Sequence, residues 1–187
     1  MSNEAAAGDD RPWRKIFLIG YRACGKSVVG RQLATELGWQ YLDCDRELSQ
    51  RAGCSINDLV ASAGWQEFRA RERQLLGELI PRQELVVATG GGAVLHQELW
   101  PALRQSGLVV WLTAEPATIA RRLAADPVSQ SQRPPLTDQG LLAEITTVLD
   151  QRQALYQQAA HLQIATDQLA PSAIVHQIIA HLPATAA

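Results

Sequence analysis

A lysine and a serine close the stretch Gly20-Tyr21-Arg22-Ala23-Cys24-Gly25-Lys26-Ser27, which fits the pattern G-x-x-x-x-G-K-[ST]. Residue types in this order suit the handling of phosphate. Backbone N–H groups of a glycine-bounded loop converge on phosphate oxygens, an ammonium at Lys26 bridges the terminal phosphates, and the Ser27 hydroxyl holds a magnesium ion. The chain has only two lysines, Lys15 and Lys26, among its 17 basic residues. That scarcity weighs against Lys26 being surface decoration.

Further along, Asp43 and Asp45 stand two apart, so in an extended backbone their side chains share a face. One can support the magnesium shell while the other orients a substrate hydroxyl; the competing reading is a turn and helix cap. An aspartate near its usual pKa of about 3.9 is a weak base for an alcohol. Asp45 is therefore assigned first to orientation, which suffices for a loose phosphoryl-transfer transition state, and second to proton acceptance. Arg69 and Glu72 are three apart on a helix, where a solvated ion pair is the default and a bidentate grip on a carboxylate the alternative. Gly90-Gly91-Gly92 is either a flexible turn or a place where a ligand meets bare backbone. Arg133 either solubilises a linker or reaches the transferring phosphate from a lid. Arg152 reads as a solvated charge on a long helix. The four histidines have no metal-ligand spacing and receive no role.

These residues need elements to position them. The apolar run Ile16-Phe17-Leu18-Ile19 precedes the glycine loop, and Val28, Val29, Leu33 and Leu37 fall on one face of the helix after it. Short strands are expected at residues 40–43, 85–88, 108–112 and 162–165. Helices are expected at 64–80, 98–105, from Pro116, at 140–159 and from Pro171, with Ser55 a plausible cap ahead of Asp58. Strands alternating with helices imply a parallel sheet covered on both faces, with ligands at the carboxyl ends of its strands. Residues 126–138, rich in Pro, Ser and Gln, break the pattern between two helices as a lid would.

A chain of 187 residues suits one domain with a full core. Its net charge of −2 gives no basic field for nucleic acid or a membrane surface. Three cysteines without C-x-x-C spacing argue against a disulfide framework and a zinc site and fit a reducing cytoplasm. No apolar run reaches the roughly 20 residues of a membrane span. Residues 1–13 read as a disordered leader, 14–183 as the folded domain and 184–187 as a tail.

Taken together, Gly20 to Ser27, Leu42-Asp43-Cys44-Asp45, Glu67-Phe68-Arg69-Ala70-Arg71-Glu72, Thr89-Gly90-Gly91-Gly92, Arg133-Pro134-Pro135-Leu136 and Arg152-Gln153-Ala154-Leu155-Tyr156 resemble shikimate kinase. The resemblance implies an α/β fold of the P-loop NTPase type: a five-stranded parallel sheet flanked by helices, with a substrate-binding helical region near 45–80 and a mobile lid. It implies transfer of the ATP γ-phosphate to the 3-hydroxyl of shikimate, toward chorismate and the aromatic amino acids, with Mg²⁺ as cofactor and a monomer as the working unit. Lys26, Asp45 and Arg133 match catalytic positions. Ala23, Cys24, Gly25, Lys26, Ser27, Val28 and Arg133 match nucleotide contacts. Asp45, Arg69, Gly91, Gly92 and Arg152 match substrate contacts, and Ser27 and Asp43 the magnesium side. Thr166-Asp167-Gln168 is the expected adenine pocket. Ala23 stands where the family commonly has glycine, so a positive φ there would be strained. Pro135 and Ala154 also depart from the usual leucine and proline. Two other readings fit parts of the pattern: a gluconate-type P-loop kinase and a nucleotide-binding module without turnover.

Overall fold

Every residue of the strand Lys15–Ile19 (β1) is buried, so its alternating side chains must serve two cores. Ile16 and Leu18 point to one face and join Val29 and Leu33 of α1 (Lys26–Leu37) and Ile174, Val175 and Ile178 of α7 (Pro171–Ile179). Phe17 and Ile19 point to the other. There they meet Leu75, Leu76 and Leu79 of α3 (Ile56–Leu79), Leu103 of α4 (Trp100–Ser106), and Tyr156 and Ala159 of α6 (Leu141–Ala159). The computed structural model describes residues 13–125 and 140–182. The proposed lid with Arg133, most of the leader and the tail lie outside the described residues. Trp13, grouped with the leader on sequence, packs on the first of these cores, its ring 5.0 Å from that of His161.

Strands β1, β2 (Gln40–Asp43), β3 (Leu85–Ala88), β4 (Leu108–Thr113) and β5 (Leu162–Ala165) form one parallel sheet in the order β2-β3-β1-β4-β5. The central β1 is flanked by β3 and β4, and the chain order reverses beside it, which opens a crevice at the carboxyl ends of β1 and β3. All five expected strands form where the apolar runs placed them. The expected helix at 64–80 is longer: Ser55 accepts from the Asp58 N–H, and the helix runs Ile56–Leu79 with a break at Gly64, whose φ of 83° no side-chain-bearing residue adopts easily.

At the paired aspartates the helix-cap reading holds. α2 (Cys44–Ala52) begins directly after β2, because the Asp43 carboxylate accepts from the N–H groups of Asp45 and Arg46 and so caps it. The backbone does not stay extended past Asp43, and the shared-face geometry expected for the two aspartates is replaced by a cap and a first-turn residue. Between β4 and the break in the described residues, α5 (Pro116–Ala124) packs with α6 around Tyr21, through Ile119, Leu123, Ile145 and Val148.

Lys15 illustrates how a charge can be buried on backbone carbonyls, with no carboxylate partner among the described residues. Its ammonium donates to the carbonyls of Leu79 and Ile80, 2.7 Å each, at the negative end of α3. Burial chiefly, with the Arg82 charge second, pulls its pKa down to about 8. Both lysines of the chain are thus inside it.

Candidate active site

The glycine loop turns from β1 into α1 with Lys26 only 8% exposed. Its ammonium donates to the carbonyls of Gly20 (2.8 Å) and Tyr21 (2.7 Å), which hold the side chain folded along the loop. Cys24 is buried beneath, its thiol donating to the Tyr21 carbonyl at 2.8 Å. Ala23 has φ 59°, so the strain anticipated for a non-glycine residue is present. A left-handed alanine costs about 1–2 kcal/mol, whereas its partly buried methyl returns less than about 0.8 kcal/mol. Ala23→Gly is therefore expected to stabilise the fold by roughly 0.5–1 kcal/mol, read as a higher urea midpoint at unchanged slope. A lower midpoint would mean that the methyl's packing beside Tyr21 outweighs the strain.

Ser27, at the start of α1, donates to Asp43 Oδ2 at 2.8 Å, and the Tyr41 hydroxyl donates to the same oxygen at 3.1 Å. Asp43 thus caps α2 with one carboxylate oxygen and collects two hydroxyls with the other. Tyr41 is held as a neutral phenol: burial, then the Asp43 charge, push its pKa up to about 12. The hydroxyl–carboxylate pair gives hard oxygen donors beside the phosphate loop. Magnesium takes one or two carboxylates and fills its shell with water and phosphate oxygens, so this donor set fits it. A site made only of protein ligands is not found among the described residues.

Asp43 and Asp45 both line a cleft of about 1150 Å³. Lys26, Ser27 and Thr89 also line it, as do Ile56 and Arg46 and, from other elements, Arg122, Thr166, Leu169, Pro171 and Ile174. Cavities for a single drug-sized ligand run to roughly 300–1,000 Å³, so two reactants can lie here together.

Arg69 and Arg152 do not line that cleft; each packs on one of two consecutive glycines. Arg152 donates to the Gly91 carbonyl at 3.0 Å, as does the Tyr156 hydroxyl at 2.7 Å. The Arg69 guanidinium occupies the space a side chain on Gly92 would need, so a Cβ there would displace the guanidinium. Trp65 and Phe68, packed edge to face, both lie against the same guanidinium, their ring centroids 5.4 and 5.1 Å from it. Its ion pair with Glu72 exists, yet it is not the solvated pair that spacing suggests: Glu72 is 1% exposed. His96, given no role on sequence, reaches the same Glu72 oxygen at 3.0 Å.

Three partners were invisible in the sequence. Arg122 of α5 ties the two halves of the nucleotide side together, donating to the Ala23 carbonyl (3.3 Å), the Thr166 hydroxyl (2.9 Å) and the Thr166 carbonyl (2.8 Å). Arg22 pairs with Glu144, which is 3% exposed in the first turn of α6. Of the expected adenine segment, Thr166 lines the cleft, while Asp167 accepts from the Glu115 N–H at 3.0 Å and so fixes the start of α5. Gln168 is not part of the lining; Leu169, Pro171 and Ile174 are.

Comparison with known proteins places this geometry. The family model described as shikimate kinase matches residues 22–183. The shikimate kinase of Oleidesulfovibrio alaskensis is 47% identical over 161 residues, 86% of this chain and 92% of that protein. That of Nitratidesulfovibrio vulgaris is 43% identical, covering 90% of this chain and 94% of its own length. Among solved structures, shikimate kinase from Acinetobacter baumannii in complex with shikimate superposes with a TM-score of 0.82 at 34% identity, over 89% of this chain and 91% of that one.

Proposed function

The chain belongs to the shikimate kinase family, and from that membership we propose how its own residues phosphorylate a hydroxyl of shikimate, at C3, with ATP as donor. One observation carries the assignment of sides. Two guanidinium groups pack on consecutive glycines, Arg152 on Gly91 and Arg69 on Gly92, while the phosphate loop lines the cleft that also holds Asp43 and Asp45. Paired arginines on bare backbone suit a carboxylate, and the loop suits a triphosphate.

In this reading the adenine base lies against Leu169, Pro171 and Ile174 with the Arg122 plane beside it, and the triphosphate enters the N–H groups of residues 23–28. The Lys26 ammonium exchanges the Gly20 and Tyr21 carbonyls for phosphate oxygens. Ser27 and Asp43 would hold Mg²⁺, which when bound neutralises charge on the phosphate oxygens. Asp45, on the first turn of α2, accepts a hydrogen bond from the ring hydroxyl and orients it toward the γ-phosphorus, taking its proton as the new P–O bond forms and the bond from the γ-phosphorus to the bridging oxygen breaks, which releases ADP. Arg133 of the lid meets the transferring phosphate as the site closes. The same proposal includes no nucleic-acid partner, supported by the net charge of −2, a cytoplasmic location, supported by three cysteines without disulfide or zinc spacing, and a monomer, which rests on family membership. Among the described residues no helix is long and apolar enough to cross a membrane.

ADP formation by the purified protein with saturating Mg²⁺ and ATP tests the reading. Shikimate is expected to turn over at about 1–100 s⁻¹ and to exceed gluconate by at least about a hundredfold. Equal rates with gluconate would favour the broader small-molecule kinase. No ADP with either acid would favour the nucleotide-binding module.

A further inference from the structure

Arg22 is the third residue of the phosphate loop and lines the cleft beside Ala23, Gly25 and Lys26. Two contacts fix where it stands. The Lys26 ammonium lies 2.7 Å from the Tyr21 carbonyl, which belongs to the peptide joining Tyr21 to Arg22. From another direction, a Cβ built on Gly91 would be 3.4 Å from the Arg22 backbone nitrogen and 3.7 Å from the Gly20 carbonyl oxygen, which is ordinary van der Waals contact. Arg22 therefore stands between Lys26, proposed to meet the terminal phosphates, and Gly91, proposed to meet the acid.

The Arg22 guanidinium is only partly engaged. One terminal nitrogen donates to Glu144 Oε1, which the Tyr21 hydroxyl also reaches at 3.4 Å, and the Tyr21 ring centroid lies 5.6 Å from the guanidinium carbon. The Nε is buried without a hydrogen-bond partner among the described residues, and the other terminal nitrogen has none there either. A guanidinium carries five N–H donors in a rigid fork, so a grip through one nitrogen leaves donors for a second anion. Arg69 is arranged in the same way: each of these arginines is oriented by a carboxylate inside the protein, Glu144 at 3% and Glu72 at 1% exposure. Because Arg22 and Glu144 sum to zero charge, what the pair offers an anion is fixed N–H donors.

Resting on the reading that this loop takes a triphosphate, we propose that Arg22 is a further catalytic residue, whose guanidinium, oriented by Glu144, donates to the terminal phosphate as it moves from the nucleotide to the acceptor hydroxyl. The bonds made and broken are those of the transfer itself, with the hydroxyl proton going to Asp45. Arg22 keeps its own protons and offsets charge on the phosphoryl oxygens.

Calorimetric binding of ADP and of β,γ-imido-ATP, each with Mg²⁺, tests this on the natural protein and on Arg22→Met/Glu144→Gln. The double change keeps the pair neutral and removes the fork, so no lone buried carboxylate confounds the result. The preference for the triphosphate over ADP is expected to fall about ten- to a hundredfold, the size of a hydrogen bond to a charged group, and kcat by a similar factor. The Kd values for ADP and shikimate should stay within about twofold, since neither holds the terminal phosphate. A preference equal to the natural one overturns the proposal; joined to a raised Kd for shikimate, it places the guanidinium on the acid instead. If the double variant does not fold, Arg22→Lys decides. It keeps Glu144 paired, but an ammonium is a point and cannot hold carboxylate and phosphate from opposite ends. The preference should fall again, and an undiminished one overturns the proposal. A natural protein that binds neither nucleotide removes the phosphate-loop reading itself, and this proposal with it.

Discussion

Replacing Lys26 with methionine lowers kcat about a thousandfold, the loss seen when a single preorganised charged donor is removed from a developing anion. The side chain has the right length and the wrong head. Methionine fills the same volume, so the loop keeps its packing, but the ammonium's share in neutralising the terminal phosphates is lost as the P–O bond stretches. The carbonyls of Gly20 and Tyr21 also lose their donor. With one polar partner removed at a mostly buried site, a stability loss of about 1–3 kcal/mol is expected. A melt taken alongside the kinetics separates that loss from the catalytic one. The natural protein's KM for shikimate should be retained, since Lys26 serves the nucleotide side. A variant within tenfold of the natural kcat would remove Lys26 from the transition state.

How much of this could be read beforehand differs between residues for physical reasons. The phosphate loop and the five strands were legible because their signals are local: a fixed spacing of glycines before Lys26, and apolar runs too short for helices. Both faces of the sheet followed from continuous rather than alternating hydrophobicity in Leu85–Ala88 and Leu108–Thr113. The start of α2 was hidden because Asp43 does two things. An aspartate after a strand is a cap or a ligand by composition alone, and here one oxygen takes each part. The burial of Glu72 was hidden for another reason. Spacing places it near Arg69, but only the packing of α3 against α2 and the glycine loop removes the water. Arg122, Glu144 and His96 are contacts across 99, 122 and 24 positions of the chain, and no periodicity carries such information. The signal that could have pointed to Arg22 and Arg122 is the choice of arginine inside otherwise apolar surroundings at Tyr21 and Leu123.

The division of labour between the two aspartates leads to the second large effect. Asp45→Asn is expected to lower kcat about a hundred- to a thousandfold, the range for a positioned general base that also orients its partner. Asparagine has the same size and still hydrogen-bonds a hydroxyl, but its amide cannot take the proton and holds no negative charge against the alcohol. The cap of α2 survives, because what Asp45 gives to Asp43 is its backbone N–H. Stability should therefore change by no more than about 0.5 kcal/mol. Asp43→Asn is the informative contrast. Asparagine caps a helix about as well as aspartate, so the fold again persists, but the oxygen that gathers Ser27 and Tyr41 loses its charge. Its defect should be an increased magnesium requirement that excess metal partly relieves, whereas added magnesium should do nothing for Asp45→Asn. Rescue of Asp45→Asn by magnesium would place Asp45 on the metal rather than on the hydroxyl, and a kcat equal to the natural one would take it out of the chemistry altogether.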